Sequence, residues 1–201
     1  KEKVINFGLP RTGTLSFIRV MNRKFDVPAS AACHQLPNWP KYVREIYFWR
    51  AHPERVRPKL KLALRKCLAL ADIPNFALYR SYEVRYPSAH FVMTIRGKYS
   101  WLNSTELLMK AWKGRLPKEQ LKFIQDFFNV TDPSGWDYEA YANTWEHHTR
   151  EVLQFFGDRI LLLPTYFNDN DKLSALGDFL GCEPKQGAYA HSHVGNKWKL
   201  G

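Results

Sequence analysis

Val4-Ile5-Asn6-Phe7-Gly8-Leu9-Pro10-Arg11-Thr12-Gly13-Thr14-Leu15-Ser16 joins a short apolar run to a segment with apolar residues at helical spacing. Val4 to Phe7 is partly β-branched and is closed by Gly8 and Pro10, which predicts a strand ending in a tight loop. From Thr14, the residues Leu15, Ile18, Val20 and Met21 predict a helix that ends near Phe25. A glycine loop between strand and helix aims backbone N–H groups and the positive end of a helix dipole at one spot, which suits a phosphate. The two glycines have the spacing of the Walker motif, G-x-x-x-x-G-K-[ST]. Thr14 stands at its lysine position and Leu15 at its metal-hydroxyl position, so an ATP or GTP hydrolase would lack both groups here. The cation of this loop is Arg11, inside it.

Downstream, a weaker strand is expected around Ala31 to His34, then a Pro-rich connection and a basic helical region from Glu54 to Leu70. Phe91-Val92-Met93-Thr94-Ile95 is the clearest strand, nearly continuous in apolar residues as strands covered on both faces are. Helices are expected from Ser100 to Trp112, Pro117 to Phe128, about Tyr138 to Phe156, and Lys172 to Leu180, where Gly181 supplies a C-terminal cap. Ile160 to Leu163 is a further strand. This alternation predicts one domain over residues 1–201, a three-layer α/β/α fold with a mainly parallel central sheet.

With 201 residues, 45% hydrophobic and 24% charged, the chain has globular composition, which excludes disordered, collagen-like and disulfide-scaffold classes. Lys plus Arg number 30 against 19 Asp plus Glu, a formal +11 that points to an anionic partner. The three cysteines, Cys33, Cys67 and Cys182, fit neither a disulfide framework nor zinc spacing, and are expected to be free thiols in a reducing compartment. No apolar run approaches a membrane span, and no signal-peptide pattern opens the chain, so a cytoplasmic location is expected.

Arg96 stands at the carboxyl end of the clearest strand, where open α/β sheets bind ligands. Ser104, eight residues on, falls on the first turns of the next helix, with Trp101 on the same face. An arginine and a hydroxyl so placed can hold a second phosphate. Together, Pro10 to Ser16 and Arg96 to Ser104 resemble the 5′-phosphosulfate loop and the 3′-phosphate motif of the sulfotransferases that use 3′-phosphoadenosine 5′-phosphosulfate. Tyr82 to Arg96 resembles that family's helix and central strand, and Asp158 to Gly181 its late strand and helix. The resemblance implies that the donor is held by Arg11, Thr12, Gly13, Thr14, Leu15 and Ser16 at its 5′ end and by Arg96 and Ser104 at its 3′-phosphate. It also implies that Arg11 stabilises the bridging oxygen, that adenosine 3′,5′-bisphosphate is the product, and that no metal is needed. His193 to Lys199 is similar to the family's basic closing segment, which makes Lys197 and Lys199 further 3′-phosphate candidates. Leu15 departs from a usual threonine, and Gly97 from a usual acid.

An acceptor hydroxyl or amine must lose a proton to a general base. His34, after the second strand, is the first candidate, Asp72 the second and Glu83 a distant third. His147 and His148 are adjacent on a helix and face different ways, one surface and one core. Trp39, Tyr42, Tyr47, Phe48 and Trp49 form a packed cap or line an acceptor cleft. A small molecule or a glycan is the expected acceptor, with no nucleic-acid partner. The rivals are a P-loop nucleotide or small-molecule kinase and a non-catalytic basic nucleic-acid-binding domain.

Overall fold

A computed structural model describes residues 2–131 and 136–186. Five strands, β1 (Val4–Asn6), β2 (Ala32–Cys33), β3 (Ala69–Leu70), β4 (His90–Ile95) and β5 (Ile160–Pro164), form one sheet in the order β2-β3-β1-β4-β5, with every neighbouring pair parallel. Strand β1 lies in the middle, in register with β3 and β4 (Ile5 opposite Leu70 and Phe91). The chain leaves β1 toward β2 on one side and leaves β4 toward β5 on the other. The crevice between the carboxyl ends of β1 and β4 is therefore the topological switch point, where such sheets take ligands.

Alternation along the strands feeds two cores. Val4, Ala69, Val92 and Leu163 face α1 (Thr14–Lys24) and α8 (Asp169–Leu180). Ile5, Phe7, Leu70, Phe91 and Met93 face α2 (Val43–Ala51), α3 (Pro58–Arg65), α4 (Tyr79–Arg85), α5 (Lys98–Trp112), α6 (Lys118–Phe128) and α7 (Tyr138–Phe156). This second core is aromatic: Phe7 stacks on Phe91 and Phe156 at 5.7 and 5.5 Å. Burying each such ring contributes about 1.5–3 kcal/mol. Trp39 and Trp49 are fully inside it, so these two belong to a packed cap.

Caps set the helix limits. Asp137 and Asn168 accept the amides of Ala140 and Asp171 to start α7 and α8, and Gly181, at φ +65°, ends α8. The basic helix expected from Glu54 to Leu70 is shorter. Pro58 opens it with Arg57 extended before the proline, and Ala69–Leu70 is a strand. Two apolar residues between helical ones carry no period of their own, which is why β3 escapes the sequence reading.

Cys33 and Cys67 are joined by a disulfide, and Cys182 is exposed and free. This corrects the expectation of three free thiols, which rested on spacing alone; parallel pairing of β2 and β3 brings together residues 34 apart. No helix among the described residues is long and apolar enough to cross a membrane. Closing a loop of this length in the unfolded chain stabilises the fold by roughly 2–4 kcal/mol. Thiol titration of the denatured, unreduced protein should therefore give one free thiol per chain, and the Cys33→Ser/Cys67→Ser variant should unfold at lower denaturant. Three titratable thiols would contradict the pairing.

Candidate functional site

A buried polar lock fixes the loop after β1 at the switch point. The Asn6 side-chain oxygen accepts from the amides of Gly8 (2.8 Å) and Thr94 (3.1 Å), while its nitrogen donates to Thr94 Oγ1 (3.1 Å). Thr12 Oγ1 donates to Leu9 O (2.7 Å) and lies 3.0 Å from Thr94 Oγ1. Trp101 Nε1 donates to Pro10 O (2.7 Å) from α5. His148 Nε2 lies 2.8 Å from Phe7 O. Gly8 has no room for a side chain, since a Cβ there would sit 2.2 Å from Thr94 Oγ1.

The first turn of α1 is uncapped. Its N-cap, Gly13, sits at φ +94° where other residues are strained, no side chain caps the helix, and its first turn holds no acid. The first closing bond runs from Phe17 N to Gly13 O (2.9 Å), so amides before it lack intrahelical acceptors. Arg11 also has positive φ, at +73°, an uncommon conformation for a side-chain-bearing residue and one that clusters at functional sites.

Two guanidiniums flank this opening. Arg11 Nε donates to Ser104 Oγ (2.9 Å) and Arg96 Nε to Ser100 Oγ (2.8 Å). Burial lowers the pKa of both; the Arg11 charge lowers Arg96 further, whereas Asp72 pulls Arg11 back up. Among the described residues neither guanidinium has a carboxylate within ion-pair distance. Like charges held together with no acid at ion-pair distance favour an anion between them.

The two base candidates are partners. His34 Nε2 lies 3.1 Å from Asp72 Oδ2, which also accepts from Thr14 Oγ1 (2.5 Å), and Asp72 Oδ1 accepts from the Ile73 amide (2.7 Å). Burial alone would raise the Asp72 carboxyl, but the His34 and Thr14 bonds and the Ile73 amide outweigh it and hold it below its ordinary 3.8. Asp72 is 6% exposed, with φ +58°, while His34 is a third open to solvent.

The structure thus gathers Arg11, Arg96, Ser104, Thr14, His34 and Asp72 at one sheet edge. Thr12 and Thr14 commit their hydroxyls to the loop lock and to Asp72. Ser16 is buried and lines, with Thr12, Gly13, Thr165 and Lys172, a small crevice of about 70 Å³ beside the loop. Leu15 is half-buried on the first turn of α1. Glu83 pairs with Arg159 (3.1 Å) and joins no part of this cluster. Lys197 and Lys199 lie outside the described residues. A larger cavity of about 450 Å³ opens between α2, α4, α6 and α7, and none of its lining residues belongs to the loop. Among the described residues no His, Cys, Asp and Glu group could hold a metal.

Asn6, Thr94 and His148 escape the sequence reading as site residues. An asparagine closing an apolar strand two residues before a glycine is the signal that was there to find.

Over residues 3–197 the sequence matches the family described as Sulfotransferase domain. With the match spanning nearly the whole chain, the protein belongs to that family, and sulfotransfer is its chemistry. No curated protein matches the chain.

His148 gives a pH test of the lock. Burial pushes its imidazole down to about 4 from 6.5, so it stays neutral when folded and protonates when unfolded. The stability it supports is whole above pH 6.5 and is lost as pH falls toward 4, at a cost of roughly 3 kcal/mol. The melting temperature should drop over that range, and His148→Gln, which keeps a donor for Phe7 O, should show a flatter acid slope. An equal slope in both proteins would remove His148 as the titrating group.

Proposed function

We propose that the chain transfers a sulfuryl group from 3′-phosphoadenosine 5′-phosphosulfate to an acceptor hydroxyl or amine, releasing adenosine 3′,5′-bisphosphate. The observation that carries this reading is the pair of guanidiniums, Arg11 and Arg96, without carboxylate partners at the β1/β4 switch point, each bonded to a serine hydroxyl. When bound, the donor supplies a sulfuryl group already activated by its phosphate leaving group. The amides of the first turn of α1 and Arg11 hold the 5′ end, and Arg11 stabilises charge on the departing oxygen. Arg96 and Ser104 anchor the 3′-phosphate. A kinase reading suffers at Thr14, which bonds to Asp72 rather than offering a phosphate cation.

His34 is the general base. Asp72 is held ionised with both oxygens engaged, which makes it weakly basic and suits it to orienting the imidazole. With Nε2–H directed at Asp72, Nδ1 is left to take the acceptor proton. Asp72 then stabilises the imidazolium, and Thr14 ties this pair to the cofactor loop.

Arg96→Ala should weaken adenosine 3′,5′-bisphosphate by about 10- to 150-fold while sparing adenosine 5′-monophosphate, which has no 3′-phosphate. Equal losses in calorimetry would remove Arg96 from the 3′ site.

His34→Ala should lower turnover by roughly 10² to 10⁴ with bisphosphate affinity nearly unchanged, because base catalysis acts only in the transition state. Asp72→Asn should lower turnover by a smaller factor. Near-parental turnover in His34→Ala beside a dead Asp72→Asn would make the carboxylate the base.

A further inference from the structure

The excess positive charge is not spread over the molecule. Residues 34–66 carry nine Lys and Arg against two Glu, a net +7 of the chain's +11. The rest of the chain, with Arg11 and Arg96 in it, carries a net +4. This basic segment is one limb of the fold: it leaves the sheet at His34, runs through α2 and α3, and returns at Cys67. The Cys33–Cys67 disulfide pins its two ends together. Along α3 the exposed stripe is Lys59, Leu62, Arg65 and Lys66, at helical spacing, and Arg44 of α2 is also exposed. No ion pair within the described residues engages Arg44, Lys59, Arg65 or Lys66, whereas Arg55 pairs with Glu54. Donor binding at Arg11 and Arg96 does not account for these cations.

We propose that this limb docks a polyanionic glycan, a uronate- or sulfate-bearing polysaccharide chain, and presents it as the acceptor beside His34. The acceptor role rests on the sulfotransfer reading above; the docking itself does not. Unpaired surface cations in a row attract a linear polyanion by releasing its condensed counterions, so affinity must fall with salt. Two features favour a glycan over other polyanions. Leu62 is the only large hydrophobic side chain exposed on the limb; Tyr42, Tyr47 and Phe48 are half-buried and Phe48 is covered by Arg57 and His52, a poor platform for nucleic-acid bases and a poor apolar wedge for a membrane. A disulfide such as the one at its root forms most readily in oxidising compartments, a setting in which acidic polysaccharides are the more accessible polyanions.

The test uses the full chain and its Lys59→Ser/Arg65→Ser/Lys66→Ser variant, with all three changes on the exposed stripe. Each is titrated with a heparin-derived octasaccharide, a single-stranded oligonucleotide of matched charge, and phosphatidylserine vesicles, at several salt concentrations. Adenosine 3′,5′-bisphosphate is titrated in parallel. The expected result is octasaccharide binding that weakens with salt, that is at least about tenfold weaker in the variant with a shallower salt slope, and unchanged bisphosphate affinity. Equal octasaccharide affinity in both proteins overturns the proposal. Oligonucleotide or vesicle binding as tight as the octasaccharide's overturns it in favour of those partners. Octasaccharide binding as expected with no bisphosphate binding to either protein supports the docking site and overturns its acceptor role, which separates the two readings.

Discussion

The Asn6 side chain is fully buried, and its amide holds both lips of the crevice, taking the Gly8 and Thr94 amides and giving to Thr94 Oγ1. A buried polar group left unsatisfied costs about 1–3 kcal/mol, so this amide tolerates only the arrangement in which β1 and β4 end side by side and the chain turns at Gly8. Everything at the site hangs on that arrangement. The loop's path sets Gly13 as the opening of α1, Trp101 ties Pro10 to α5, and α5 in turn brings Ser104 to Arg11. The proposed anion site is thus a product of strand pairing, and the residues assigned to its 5′ and 3′ halves share one buried anchor.

The His34–Asp72 pair depends on the same sheet from its other edge. His34 follows β2 and Asp72 follows β3, so the parallel pairing of those strands sets their separation, and Thr14 connects them to α1. The disulfide reinforces this pairing one residue before His34 and closes off the basic limb. The residues of the proposed donor site and base therefore follow successive strands of one sheet, in the order β4, β1, β3, β2.

The strand–loop–helix at Gly8 to Gly13, the placement of Arg96 and Ser104 beside it, and the three-layer fold are legible in the sequence because each is local. Gly8 and Gly13 punctuate a strand and a helix, and Phe91 to Ile95 is long enough to carry its own pattern. What escapes is whatever depends on pairing between distant segments. Strand β3 is two residues long and apolar on both sides, so it merges with the helix before it. Cys33 and Cys67 have no meaningful spacing until β2 and β3 lie together. His34 and Asp72 look like rivals in sequence because each stands alone in its loop, whereas in space they share a proton-bearing contact. Thr12 and Thr14 look like phosphate hydroxyls from their place in the loop, and only the positions of Thr94 and Asp72 reveal where those hydroxyls turn.

On the proposed function, the crevice between β1 and β4 selects a nucleotide with a 3′-phosphate and needs no metal to hold it. Calorimetric titration of the unaltered protein with adenosine 3′,5′-bisphosphate in EDTA, against ATP with magnesium, tests this most directly. The expected result is bisphosphate binding that chelation leaves intact and that exceeds ATP binding. Tighter binding of ATP, lost on chelation and restored by magnesium, would contradict it.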